Sequence, residues 1–239
     1  MKRALVTGGS SPIGAAICAQ LAADGVSVIV HANAHADRAA ALAERLRENG
    51  ATAEAVAFDL TDTAACAQAV STMLGQGPIQ IVVHNAGTHE DVPLAGMSPA
   101  QWRGVIDVSL NGFFNVVQPL LLPMLATRWG RIVAMSSLSG IMGNRGQVNY
   151  AAAKAGLIGA VRALSLECAA RGITVNAIAP GIIASPAVDA VLSKEKIASL
   201  VPMKRAGRPE EVAELTAFLA SDRAAYISGQ VISINGGIA

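Results

Sequence analysis

Tyr150 and Lys154 are the side chains whose types and spacing most suggest chemistry. They stand four residues apart in a stretch, Tyr150 to Ala170, that reads as helix, so both fall on one face. A phenol normally titrates near pH ~10, too high to exchange protons readily at neutrality. A neighbouring ammonium favours the phenolate and lowers that pKa, which makes the pair a candidate general acid/base. Ser137, at the end of an apolar run, can return to the same spot and hydrogen-bond a substrate oxygen as charge develops there. A Tyr and a Lys on one helix are more often plain surface residues, so the reading depends on what surrounds them.

Two features of the surroundings favour chemistry. The first is the turn Thr7-Gly-Gly-Ser-Ser-Pro-Ile-Gly14, between an apolar run and an Ala-rich amphipathic stretch. Glycines there let a backbone approach phosphates, and a helix amino end favours negative charge. Taken alone, the loop is an ordinary glycine-rich turn. The second feature is the alternation of strand-like and helix-like segments throughout. Strands are expected at Ala4–Thr7, Ser27–His31, Glu54–Phe58, Ile79–His84, Arg131–Ser136, Thr174–Ala179 and Val231–Ile234. Helices are expected at Ile13–Ala23, Ala36–Asn49, Thr63–Leu74, Pro99–Ala126, Tyr150–Ala170 and Pro209–Ala220. Such alternation implies an α/β fold: one doubly wound, Rossmann-type parallel sheet in three layers, a single domain over residues 1–239. Ligands on such sheets bind at the carboxyl ends of the strands.

Thr7-Gly8-Gly9, Ser137 and Tyr150-Ala-Ala-Ala-Lys154, in this order, resemble the short-chain dehydrogenase/reductase family, and the resemblance covers nearly the whole chain. The resemblance implies a nicotinamide-dependent ketone reduction: Ser137 polarises the carbonyl, Tyr150 donates a proton, and Lys154 lowers the Tyr pKa while holding the nicotinamide ribose. Asn111, in Val108-Ser-Leu-Asn-Gly112, is expected to hold a water that resupplies the proton through Lys154. Without the resemblance, Asn111 implies only a kink or a cap. Gly8, Ser10, Ser11, Ile13 and Gly14 are the expected phosphate contacts, although Pro12 replaces the middle glycine and has no N–H to offer. Asp59 and Leu60 resemble the adenine-contacting segment, with a helix cap as an equally good account of Asp59. Asn85, Ala86 and Gly87 resemble the element beside the ribose, with His84 structural. Pro180, Gly181, Ile183 and Ser185 resemble the segment that holds the carboxamide, and Ile183 to Arg208 reads as a mobile lid. No acid ends the second strand, where an NAD site would carry one; Asn33, His35 and Arg38 suit a 2′-phosphate, so NADP(H) is the expected cofactor.

Within the family, Met142 to Tyr150, Arg171 to Asn176 and Ala220 to Gly229 look most like 3-oxoacyl-[acyl-carrier-protein] reductases. The implied substrate is an acyl thioester on an acyl carrier protein, with Arg128 and Arg171 as docking cations and Arg131 nearby, in a basic rim around the pocket mouth. Arg3 to Gly9 and Gly112 to Asn115 also resemble ketoreductases of aryl polyene and xanthomonadin-type pigments, where the chain is conjugated. Rival readings are a reductase of acyl-CoA or small free ketones, and a weakly catalytic nucleotide-binding subunit of a hetero-oligomer, which only Pro12 favours.

Composition excludes other classes. The net charge of +1 gives no argument for nucleic acid or an acidic membrane surface. No run offers the ~20 uninterrupted apolar residues a bilayer span needs. The richest, Pro119 to Ala126, is broken by proline, so no membrane insertion is expected. With Lys2-Arg3 and a strand directly after Met1, no cleavable signal peptide is expected. Three isolated cysteines (Cys18, Cys66, Cys168) fit reduced thiols in a cytoplasmic protein, and His31, His35, His84 and His89 form no metal-ligand pattern. Apolar residues make up 52% of the chain, and the long helices offer more apolar face than one sheet needs, so subunit packing into a homotetramer is expected.

Overall fold

In the computed structural model, which describes Met1–Ala239, one parallel sheet gathers strands from both ends of the chain. Its members are β1 (Arg3–Thr7), β2 (Ser27–Ala32), β3 (Ala53–Ala57), β4 (Ile81–His84), β5 (Gly130–Met135), β6 (Ile173–Pro180) and β7 (Val231–Ile234). They lie in the order β3-β2-β1-β4-β5-β6-β7. The order reverses between β1 and β4, which opens a crevice at their carboxyl ends, where such folds take ligands.

Successive strand residues point to opposite faces, and both faces are covered, so the strands are apolar nearly throughout. Ala4, Val6, Val28, Val30, Ile81, Val83 and Met135 enter one core. That core is closed by α1 (Pro12–Ala23), α2 (Ala36–Glu48) and α10 (Pro209–Leu219). Leu5, Ile29, Val82, Ile132 and Ala134 enter the other. It is closed by α3 (Thr63–Leu74), α5 (Gly112–Thr127) and α7 (Val148–Cys168). The three cysteines are free and buried, and burial raises each thiol pKa.

Two segments depart from expectation. The long helix expected over Pro99–Ala126 is α4 (Pro99–Ile106), a five-residue π-helical turn (Asp107–Asn111) and α5. An extra residue in one turn changes the phase of the side chains that follow, and such turns recur at functional sites. The stretch from Ile183 to Arg208 is not a bare loop. It holds α8 (Pro186–Val191), capped by Ser185, and α9 (Lys194–Leu200), capped by Ser193 and anchored by buried Ile197. A short helix, α6 (Ser139–Met142), also follows β5. Pro99–Thr127 is apolar and long enough to cross a bilayer, but it carries Pro119 and Pro123 and buries Val116, Leu120 and Met124 within the protein.

Candidate active site

The site forms where β1, β4, β5 and β6 end. Its floor is a polar knot at Thr7. The Thr7 hydroxyl oxygen accepts from the Asn85 and Ala86 amides, each at 3.1 Å. Its proton is therefore free for His84 Nδ1, 3.3 Å away. His84 Nε2 donates to the Ser109 carbonyl at 2.8 Å, and burial pushes the imidazole down to about 3, so the ring is neutral. One tautomer thus ties β1, β4 and the π turn together.

The glycine-rich turn is built on this floor. Ser11 caps α1 by accepting from Gly14 N at 3.1 Å, and Pro12 takes the first helical position, where a missing N–H costs nothing. A methyl on Gly14 would lie 2.2 Å from the Gly8 carbonyl and 2.9 Å from Asn85 Nδ2. Asn85 Nδ2 in turn spans Thr7 O, Gly8 O and Ser11 Oγ at 3.2, 2.9 and 3.1 Å. Asn85 is therefore a strut under the loop. His31, fully buried, accepts from Gly8 N and bonds the Phe58 carbonyl. Beside the loop, a groove of about 200 Å³ is lined by Gly8, Ser11, Asn33, Asp59, Leu60, Ala86 and Gly87, among others.

The reactive groups stand on the next two elements. Gly140 lets α6 lie directly on α7: a methyl there would sit 2.8 Å from the Lys154 carbonyl carbon and 2.9 Å from Ala155 N. Ser136 Oγ donates to the Lys154 carbonyl at 2.9 Å, pinning the end of β5 to the same turn. Ser137, Tyr150 and Lys154 thereby converge, with Lys154 Nζ 5.5 Å from the centre of the Tyr150 ring. Asn149, fully buried, donates to the Glu90 and Gln101 carbonyls, each at 3.1 Å, and accepts from Tyr150 N at 2.8 Å. It fixes the start of α7 and gave no signal in the sequence beyond preceding Tyr150.

The electrostatics correct one expectation. Burial raises the Tyr150 pKa; the Ser137 hydroxyl offsets part of the rise, and the Asp91 carboxylate adds to it. Lys154 is itself buried, holds one partner, Met135 O at 2.9 Å, and is pushed down to about 8 by desolvation. The phenol therefore stays protonated near neutrality, which is the form a proton donor needs.

Comparison with known proteins places this arrangement. Residues 8–239 match the family described as "Enoyl-(Acyl carrier protein) reductase". The chain is 41% identical over 236 residues to the "3-oxoacyl-[acyl-carrier-protein] reductase FabG" of Aggregatibacter actinomycetemcomitans, with 98% of each chain covered. It is 40% identical over 240 residues to the protein of that name from Staphylococcus aureus strain Mu50, covering 99% of this chain and 98% of the relative. "Nodulation protein G" of Azospirillum brasilense is 41% identical over 240 residues, with the same coverage. The chain belongs to the short-chain dehydrogenase/reductase family. It is an oxidoreductase.

Enzymes of this family work with a nicotinamide cofactor, and the residues of this short-chain reductase fit one. Gly14 and Gly8 form a cradle that a single Cβ would fill. Ile13, second in α1, keeps its N–H outside the helical ladder and available to a phosphate. Asp59 turns back on Thr61, accepting from its N and Oγ1 at 2.8 and 2.9 Å, while Asp62 caps α3; the capping role considered for Asp59 thus falls to Asp62. At the far end Gly181 packs on Asn235, and the Pro180 carbonyl accepts from Leu138 N at 2.9 Å. The Ile183 side chain is buried in the core, and Ser185 Oγ accepts from Val188 N at 3.2 Å, keeping its proton free to donate.

Two expected groups do not join the site. Asn111 is exposed, bonds Asp107 Oδ1 at 2.7 Å, and lines an apolar groove between α5 and α7. The residue that reaches Lys154 is Ser109, whose buried hydroxyl shares the space above Gly87 with Lys154 Nζ. Positions two apart in a helical turn point to roughly opposite sides, so the two cannot serve the same face. Arg128 and Arg171 lie side by side before β5 and β6, at the amino edge of the sheet. The six residues of β5 put them roughly 20 Å from Ser137, so they form no rim around this chain's own pocket. Arg131 is buried against Trp129 and spends its guanidinium on Ser221 O, Gly130 O and Asp222.

Proposed function

We propose that this enzyme reduces the ketone of a 3-oxoacyl thioester carried on an acyl carrier protein to the 3-hydroxyacyl thioester, using NADPH. The convergence of Ser137, Tyr150 and Lys154 beside a phosphate cradle carries the reading, and the names of the relatives supply the substrate class. When bound, the cofactor supplies hydride to the ketone carbon. Ser137 donates a hydrogen bond to the carbonyl oxygen, and Tyr150, protonated because it is buried, delivers the proton. Lys154 anchors beneath the phenol and takes part in recharging it.

Preference for NADPH rests on β2 ending at Ala32 with Asn33, not an acid, after it and lining the groove, and on His35 and Arg38 standing exposed shortly beyond. Arg128 and Arg171 can serve a carrier whose substrate enters the site of another copy. The exposed apolar groove between α5 and α7, about 550 Å³, supports assembly into a homotetramer. We place the enzyme in the cytoplasm, where three buried thiols stay reduced.

Pro12 sits comfortably at the first helical position, so nothing in the fold favours a catalytically idle subunit. The test is turnover of NADPH and NADH with 3-oxoacyl-carrier, 3-oxoacyl-CoA, conjugated 3-oxoacyl and free ketone substrates. Fastest kcat/KM on carrier-bound 3-oxoacyl chains with NADPH is expected. Preference for free ketones or CoA esters would overturn the substrate, and preference for NADH the cofactor.

A further inference from the structure

The peptide between Thr7 and Gly8, where β1 gives way to the phosphate turn, is gripped from both flanking strands. Asn85, after β4, donates Nδ2–H to its carbonyl at 3.2 Å. His31, on β2, accepts its N–H on Nδ1 at 3.2 Å. A trans peptide carries these two groups on opposite edges, so the two side chains together fix its plane. Gly8 then takes a φ of 61°, and the Gly9 N–H returns to the His31 carbonyl at 2.8 Å.

The same imidazole also works on the other side of its strand. Nε2 lies 3.0 Å from the carbonyl of Phe58, directly after β3, and the two rings pack 4.3 Å apart. β2 lies between β1 and β3, which is why one side chain reaches both. Burial pushes the His31 pKa below the ordinary histidine range, against the opposing pull of the Phe58 carbonyl and Asp59, so the ring is neutral at neutral pH. With Nδ1 accepting from Gly8, the one ring proton sits on Nε2 and is donated to Phe58. Both nitrogens are therefore occupied within the chain, and what His31 fixes is spacing. The groove of about 200 Å³ is lined by Gly8 and Ser11 from the turn after β1, and by Asp59 and Leu60, which follow Phe58.

We propose that His31 is a positioning residue for the dinucleotide: it ties the phosphate turn to the segment after β3, so the two sides of the groove form one rigid site whose affinity depends on both bonds. Neither bond involves Ser137, Tyr150 or Lys154, so His31 sets nucleotide binding and leaves the chemical step alone. The clamp stands on geometry; its effect on affinity rests on the groove being the nicotinamide nucleotide site.

Proton–nitrogen NMR of the ligand-free protein tests the clamp. A neutral His31 ring protonated on Nε2 is expected; a ring protonated on Nδ1, or a charged one at neutral pH, would overturn it. Nucleotide titrations of folded variants test the effect. His31→Phe keeps the ring packing and removes both bonds, so the dissociation constants for NADPH and NADH should each rise about tenfold or more. At saturating nucleotide, kcat should stay within about twofold of wild type. Asn places Oδ1 as many bonds from Cβ as His places Nδ1, and Gln places Nε2 as many as His places Nε2. His31→Asn should therefore restore the Gly8 bond, His31→Gln the Phe58 bond, and each should recover part of the affinity. Wild-type affinity in His31→Phe would overturn the proposal, as would a loss confined to kcat. If His31→Phe fails to fold, wild-type affinity in both His31→Asn and His31→Gln would overturn it instead. Should the wild type bind neither nucleotide, the cofactor reading would fail, while the NMR result would still decide the clamp.

Discussion

Gly140→Ala isolates the placement of Ser137 from everything else in the site. The methyl would meet backbone atoms of α7, at 2.8 Å from the Lys154 carbonyl carbon and 2.9 Å from Ala155 N. Backbone cannot rotate aside as a side-chain end would. Restoring ordinary contact needs α6 to lift by roughly 0.6–0.8 Å, given normal carbon separations of about 3.5 Å. Ser137 moves with it, because Gly140 N bonds the Ser137 carbonyl at 2.9 Å and Ser139 N bonds its hydroxyl at 3.2 Å. Overpacking of this kind costs about 1–3 kcal/mol, offset by up to about 1 kcal/mol from the better helix former. For a chain of this size the net cost lowers Tm by no more than about 12 °C. Catalysis should suffer more, since a displacement approaching 1 Å costs up to about 10²-fold. We therefore expect kcat to fall about 10–100-fold while the dissociation constant for NADPH, measured by fluorescence titration, stays within about twofold. The cofactor loop lies on β1 and α1, which Gly140 does not touch. A folded Gly140→Ala enzyme with wild-type kcat, or one that loses NADPH binding instead, would refute the reasoning.

Four further outcomes are expected. Tyr150→Phe keeps the ring and removes the acid, so steady-state kcat should drop about 10²–10⁴-fold; full turnover would remove Tyr150 from the mechanism. Gly14→Ala places a methyl 2.2 Å from the Gly8 carbonyl, so calorimetry should show at least a tenfold loss of nucleotide affinity, roughly 1.4 kcal/mol. Asp91→Asn removes a charge that raises the Tyr150 pKa, so the alkaline limb of kcat/KM should move to lower pH; an unmoved limb would show that Asp91 does not act on the phenol. Burial holds His84 near 3 in the folded protein against about 6.5 unfolded, so below pH 6.5 the unfolded chain binds the extra proton. Stability from this group is full above that pH and lost as pH falls towards 3, at up to about 1.4 kcal/mol per pH unit. Urea titrations of wild type and His84→Asn between pH 4 and 7 should show the variant with the shallower slope.

Much of this enzyme is written locally in its chain. Apolar runs such as Ala4-Leu-Val6 and Ile81-Val-Val83, alternating with amphipathic stretches, require a doubly covered parallel sheet, because nothing else buries both faces of each strand. Four-residue spacing puts Tyr150 and Lys154 on one face of α7 by helix geometry alone. Three matters needed the folded chain. Asn111 and Ser109 sit in one short run, and only the phase of the π turn decides that the serine faces Lys154 and the asparagine faces out. Arg128 and Arg171 are distant from the pocket because strands β5 and β6 run between, a fact of topology that residue type cannot carry. The balance of charge at Tyr150 also depends on tertiary burial: spacing brings the ammonium near, but water excluded by the surrounding elements decides which proton stays.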